Sequence, residues 1–310
     1  MSTLSRRRLL AAAALGTLPL TGCTWSSPVV RGGPPTPPPQ PPPPPEVQDA
    51  LRTEQALAAV ARALADGPDG ARWTALADAH AAHVAGLAQP DRTGPLPAGP
   101  GPTPEAPADA LADEEAWRST LGGARGRYRD AALAVSGPPA LLWASLSAFA
   151  AAAPQARALQ AVTDRPGLGT AVTDVEAATA LLTALHMVVH GYQLALVPLA
   201  LGSSADEAAR ARLDRLLGLR DAVTAVLSGR GLAVPAAAAD YDVELDPGDQ
   251  AGSATLRRDL ELALVPWVGR WVAAAPDGDR AVAVDALVES TTVAVGLGGA
   301  LAVWPGWEVG

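Results

Sequence analysis

Between Thr173 and Leu201, apolar or aromatic residues recur at Val175, Ala178, Leu182, Leu185, Val189, Tyr192, Leu196 and Leu199. Steps of three and four hold one face of an α-helix against partner helices. Thr173 and Glu176 stand three residues apart at the head of this stretch, the spacing of a capping box. Pro198 lacks an N–H, so the helix should fray there before Gly202 stops it. The same rhythm predicts helices over 47–65, 71–88, 108–135, 140–162, 205–228, 254–274 and 280–303. Turn residues separate them: Gly67-Pro68-Asp69-Gly70, a Pro/Gly-rich crossover over 90–107, Gly137-Pro138-Pro139 and Asp164-Arg165-Pro166-Gly167. Ser204 and Glu207 repeat the capping-box spacing, Asp279 stands where it could cap the last helix, and Pro266 sits where it could bend the seventh. Gly296, Gly298 and Gly299 each cost about 1 kcal/mol relative to alanine in a helix, which suggests close approach or local bending. The pattern gives an all-α protein of two consecutive four-helix bundles, 46–165 and 166–310.

No Asp, Glu, Lys or Arg occurs between Ala177 and Ala205, and a run of that length could cross a bilayer. Thr179, Thr183, His186, His190 and Gln193 form a stripe beside the seam, however, and such a stripe facing lipid is costly. A buried bundle helix is the preferred reading.

The chain opens differently. Ser5-Arg6-Arg7-Arg8-Leu9-Leu10 is a basic segment running into an apolar one, the form of an export signal, and its paired arginines resemble a twin-arginine signal. Leu20-Thr21-Gly22-Cys23 resembles the lipobox of bacterial lipoproteins, in which the cysteine is diacylated after the signal is cut away. Cys23 is the only cysteine in the chain, so no disulfide forms within it and the body is held by its core alone. The expectation is a signal peptide over 1–22, lipidation at Cys23, and a body anchored on the extracytoplasmic face of the cell membrane. From Pro34 to Pro45 every residue but Thr36 and Gln40 is proline, which favours an extended spacer of about 3.1 Å per residue. A proline-rich recognition segment is the alternative for that tract.

Composition narrows the function. The basic residues are all arginine, and the net charge is −9, so a phosphate backbone has little to neutralise it and nucleic-acid binding is excluded as a partner class. Neither a phosphate-binding glycine loop, a nucleophile elbow nor Cys/His zinc spacing occurs. No cofactor and no catalytic residue is expected.

One polar constellation falls on apolar seams. In the second helix Trp73, Leu76, His80, His83 and Leu87 share a face, and in the third Ala110, Glu114, Trp117, Leu121, Ala124, Tyr128 and Val135 do. Glu54 lies at the edge of the first helix's apolar face. The preferred account is a buried histidine bonded to a carboxylate on a facing helix, because buried polar groups must be paired. The alternative is a metal held by His80, His83, Glu114 and Glu54, since H-x-x-H on one face suits metal ligation. His186 and His190, one turn apart, are read as a packed, hydrogen-bonded pair. Asp206 and Arg210 read as an exposed i, i+4 pair, and the remaining arginines of that helix as its solvated face.

His186-x-x-x-His190-Gly191-Tyr192, Arg220-Asp221, Gly231 to Pro235 followed by Tyr241, and Trp304-Pro305-Gly306-Trp307-Glu308 resemble an uncharacterised ferritin-like domain, a domain of unknown function found in actinobacterial lipoproteins. The resemblance runs from Thr173 to Glu308 and implies a four-helix bundle without an established activity. Where that family usually has Glu before the first of these histidines, this chain has Leu185. Ferritin-type two-metal sites take Glu-x-x-His from two helices, yet the residues three before the four histidines are Ala77, His80, Thr183 and Met187. The sequence therefore points to a lipid-anchored binding or structural module of the cell envelope. Its partners would be the membrane and a protein or small molecule, and the alternative is a ferritin-like metal oxidase or store.

Overall fold

The computed structural model describes residues 42–96, 113–161, 165, 172–238, 241 and 247–307. The expected signal, the lipobox with Cys23 and most of the proline spacer lie outside them. Among the described residues the chain forms eight α-helices and no strand: α1 (Pro45–Leu64), α2 (Gly70–Leu87), α3 (Glu114–Ala134), α4 (Pro138–Ala152), α5 (Asp174–Leu196), α6 (Ser204–Gly229), α7 (Gln250–Ala274) and α8 (Asp277–Gly296). The all-α class is as the periodicity predicts.

Local chemistry explains the boundaries. The capping box forms: the Thr173 hydroxyl accepts from the Glu176 N–H at 3.2 Å, and the Glu176 carboxylate accepts from the Thr173 N–H at 2.9 Å. Helix α5 stops two residues before Pro198, which has no N–H to give the helical ladder, although Val197 between them keeps α-region dihedrals. Three expectations need correction. The cap of α6 is Ser203 rather than Ser204, its hydroxyl accepting from the Asp206 N–H. Helix α4 gives way after Ala152 to a 3-10 turn, Ala153–Gln155, because Pro154 cannot donate to the helical ladder. Asp279 does not cap α8, which starts behind Pro276; its carboxylate instead accepts from Arg230 at 2.6 Å. Pro266 is carried inside α7 without ending it.

Helices α1 and α2 pack as one antiparallel pair and α3 and α4 as another, while α5 packs on α6 and α7, and α7 on α8. The two sets of four are not separate bodies. Residues 43–310 form one compact unit, and α4 packs against α3 on one side and against α7 and α8 on the other. From Ala140 to Ala150 every side chain of α4 is buried. A helix that is apolar all round belongs at the centre of a core, and a single hydrophobic cluster runs through both sets. Helix α5 is long and apolar enough to cross a membrane by length and composition. In this fold Ala178, Leu182, Leu185, Val189 and Tyr192 are buried against its neighbours.

The stretch after Gly296, expected to continue α8, is a strap instead. Gly298 adopts φ 91°, the left-handed region where a helix ends. Leu301 then pairs with the segment after α4, its N–H donating to Ala158 and its carbonyl accepting from Gln160, both at 2.9 Å. Farther on, Trp304 and Trp307 face the Arg165 guanidinium at 4.6 and 4.7 Å from their ring centroids. Arg165 is buried and donates to the carbonyls of Arg92 and Gly94. Burial pulls its pKa down to about 10, partly offset by Asp91. Gly306, at φ 85°, lies directly on Gly269 of α7, where a Cβ would strike the Gly306 backbone.

That contact gives a test. Gly269→Ala must displace backbone rather than a flexible side chain and should cost about 1–3 kcal/mol or more in urea unfolding. Gly218→Ala, in helix α6 with open space around it, should stabilise by about 0.5–1 kcal/mol. Equal effects of the two substitutions would contradict the close strap contact.

Candidate functional site

Helices α1, α2 and α3 converge on Glu54. From α1 its carboxylate reaches between α2 and α3: Oε2 lies 2.7 Å from His80 Nδ1 and 2.8 Å from His83 Nδ1, and Oε1 accepts from the Tyr128 hydroxyl at 2.7 Å. All four side chains are buried. The far nitrogen of His83, Nε2, lies 2.8 Å from the Val303 carbonyl, so the strap completes the cluster. The rings sit in an aromatic box: His80 is edge-on to Trp117 and Phe149, and His83 to Phe149 and Trp304.

Donor and acceptor roles follow from these contacts. A carbonyl and an ionised carboxylate only accept. His83 therefore presents both ring nitrogens to acceptors, one to the Glu54 carboxylate and one to the Val303 carbonyl. His80 donates through Nδ1, which leaves its Nε2 a bare lone pair; that atom is buried and has no partner. An unpartnered acceptor is the milder defect, since an unpartnered N–H at the same place would be an orphan donor. Burial alone would raise the Glu54 pKa, but His83 and His80 outweigh it and hold the carboxyl far below its usual range. Burial lowers the His80 pKa against the pull of Glu54. Burial and the neighbouring carboxylate together push the Tyr128 phenol up.

Of the four residues weighed from sequence, the structure brings together Glu54, His80 and His83. Glu114 is elsewhere. As the first residue of α3 it is half-exposed and bound to Arg118 at 2.7 Å, with Arg72 at 3.8 Å. A carboxylate gains in a first helical turn from the free N–H groups there, whereas the seam position alone suggested burial. Tyr128 was on the seam by periodicity, but its hydroxyl role was not foreseen.

The second set of helices builds a different centre. Glu261 of α7 accepts from Arg212 of α6 through both oxygens, at 2.7 and 2.8 Å, and from the Tyr192 hydroxyl of α5 at 2.5 Å. Arg212 also donates to Ser290 of α8 at 2.9 Å and pairs with Glu289 at 2.6 Å. The expectation that Arg212 lies on a solvated face is wrong. It falls in step with Ala209 and Leu216, both fully buried, and that spacing was the available signal. Burial alone would lower the Arg212 pKa, but Glu261 and Glu289 hold it up.

The Nε2–H of His186 points to the Pro235 carbonyl at 3.3 Å, and the His190 ring lies 5.6 Å from that of Tyr241. The Tyr241 hydroxyl accepts from the Ala238 N–H. The motif residues thus hold the connection after α6 against α5.

Histidines and carboxylates buried inside a helical bundle raise the question of metal. In the second set a fixed guanidinium occupies the buried carboxylate, so the centre where a cation would be held already contains one. In the first set Glu54, His80 and His83 offer three ligand atoms within 4.8 Å of one another, but only one carboxylate. That donor set does not fit a two-metal centre, which takes four. A single ion would have to displace the protons on both Nδ1 atoms.

The model of a family described as a domain of unknown function (DUF4439) matches residues 177–309. This coincides with the stretch that carried the resemblance. Nothing among curated proteins matches the chain. Among solved structures, it is similar to a conserved hypothetical protein, rv2844, from Mycobacterium tuberculosis, with 27% identity over 42% of this chain and 97% of that one and a TM-score of 0.38. A domain of unknown function therefore occupies 177–309, from α5 through the strap.

Proposed function

We propose that this protein is a lipid-anchored extracytoplasmic lipoprotein whose ferritin-like helical body serves the cell envelope as a non-catalytic binding or structural module. The observation that carries the anchoring is Leu20-Thr21-Gly22-Cys23 behind a basic and apolar leader, with Cys23 the sole cysteine. Residues 1–22 are then a signal peptide and 23–45 a spacer between membrane and body. The non-catalytic reading is supported by the state of the two buried carboxylates. Each is saturated by donors and shut away from solvent, so no substrate can touch it. Both act as clasps between helices.

A metal oxidase or store is the second reading, favoured by the closeness of the Glu54, His80 and His83 ligand atoms. The clasp reading has the same atoms neutralise one another with protons, and a metal would have to compete with those.

Three measurements decide between these readings. Cys23→Ser should move the protein from washed membranes to the soluble fraction; retention of a processed Cys23→Ser chain would end the lipoprotein reading. Added zinc or ferrous iron should leave the melting temperature unchanged, whereas a ligand bound only by the folded state adds about 2.7 kcal/mol at a hundredfold excess over its Kd. A rise that His83→Ala abolishes would establish the metal reading instead.

The third measurement is pH dependence. The unfolded chain takes up the His80 proton near its ordinary 6.5, and the folded chain only at lower pH. The His80 contribution is thus full above 6.5 and is lost as pH falls from there. For Glu54 the contribution is present above its ordinary 4.5 and is lost below it. His80→Gln should unfold more easily at neutral pH, yet lose less stability than the wild type between pH 7 and 5. The difference between the two chains isolates His80, and parallel urea curves across that range would refute its buried, neutral state.

A further inference from the structure

A cavity of about 480 Å³ opens where α3 and α4 meet α6 and α8, lined by three arginines and two acids. That volume lies in the range of small-molecule sites. Two of the arginines are accounted for. Arg129 grips Asp285 with two bonds at 2.7 and 2.8 Å, and Arg215 binds Glu289. Helices α3 and α8 run antiparallel here, so one turn back from Arg129 and one turn on from Asp285 stand Arg125 and Glu289, the next rung of a ladder. That rung is not made. Glu289 is drawn to α6, where it pairs with Arg215 and with the buried Arg212 at 2.6 Å. Arg125, which also lines the cavity, is left with no side-chain partner among the described residues, and its α3 backbone is held by the Ser147 hydroxyl, which donates to the Arg125 carbonyl at 3.1 Å.

The result is an uncompensated guanidinium beside an apolar floor that includes Ala151 and the buried Val288, in a chain whose net charge is −9. A planar five-donor fork matches a carboxylate with two parallel bonds. Acids of the protein cannot supply that carboxylate, because the two that line the cavity are already held.

We propose that this cleft binds a small organic carboxylate, its carboxylate on Arg125 and its apolar part on Ala151 and Val288. The site would give the module proposed above a ligand class, and a ligand held here would lie across helices of both sets. It draws on that proposal only for the binding role; anchoring at Cys23 is independent of it.

The test uses the full chain in detergent micelles, with ligand-observed NMR titration of benzoate. Acetate serves as the carboxylate without the apolar body, and benzyl alcohol as the body without charge. Benzoate should bind wild-type protein, and acetate and benzyl alcohol should each bind about tenfold more weakly. Arg125→Ala should weaken benzoate by about tenfold or more, as expected for the loss of charge-assisted bonds. Arg125→Lys, which keeps the charge and loses the fork, should fall between. Circular dichroism should show both variants folded, since Arg125 is an exposed residue. Absence of benzoate binding, equal binding by Arg125→Ala, or acetate binding as tightly as benzoate would each overturn the proposal, and none of these outcomes would alter where a Cys23→Ser chain fractionates.

Discussion

Helix α4 has no face for water. Eleven consecutive side chains from Ala140 to Ala150 are buried, so the hydrophobic effect requires other helices to cover the whole cylinder. Helix α3 covers one side, and α7 and α8 the other. Neither set of four could leave the other without exposing this helix to solvent. The single core that results fixes α3 against α8, which brings Arg129 to Asp285 and opens the cleft beside Arg125.

Each set answers the same electrostatic problem in its own way. A buried carboxylate must be paired, because an isolated charge in a low-dielectric interior is prohibitively unfavourable. Both Glu54 and Glu261 accept a tyrosine hydroxyl. Glu54 takes the rest of its donors from imidazoles, whose charge can change near neutral pH. Glu261 takes them from a guanidinium, which never loses its proton under such conditions. The first centre is therefore titratable and the second fixed, although both tie three helices together around one acid.

Much of the fold was legible because periodicity and caps are local. The capping box at Thr173, the end of α5 ahead of Pro198, and the face shared by His80 and His83 all follow from residues within a turn or two of each other. Glu114 went astray for the same reason: spacing places a residue on a face, but not at the end of a helix whose start is misjudged. Arg212 was hidden by its type. Its position fell on the seam, but an arginine there is read as solvated until Glu261, 49 residues away, is known to meet it. The strap was illegible. A helical step from Leu297 to Leu301 is broken by Gly298, and nothing nearby in sequence announces that Trp304 and Trp307 will enclose Arg165.

The bond between His83 and the Val303 carbonyl spans 220 residues of chain. Its loop can close only when the 220-residue span between them is present, and contacts of such separation come late because the entropy of closure precedes any gain. A ribosome that delivers this chain from its amino terminus presents α1 and α2 long before the Val303 carbonyl exists. Until then His83 Nε2 faces water or an unfinished aromatic box. The order of synthesis and the order of completion thus differ: helices made early are finished by residues made much later.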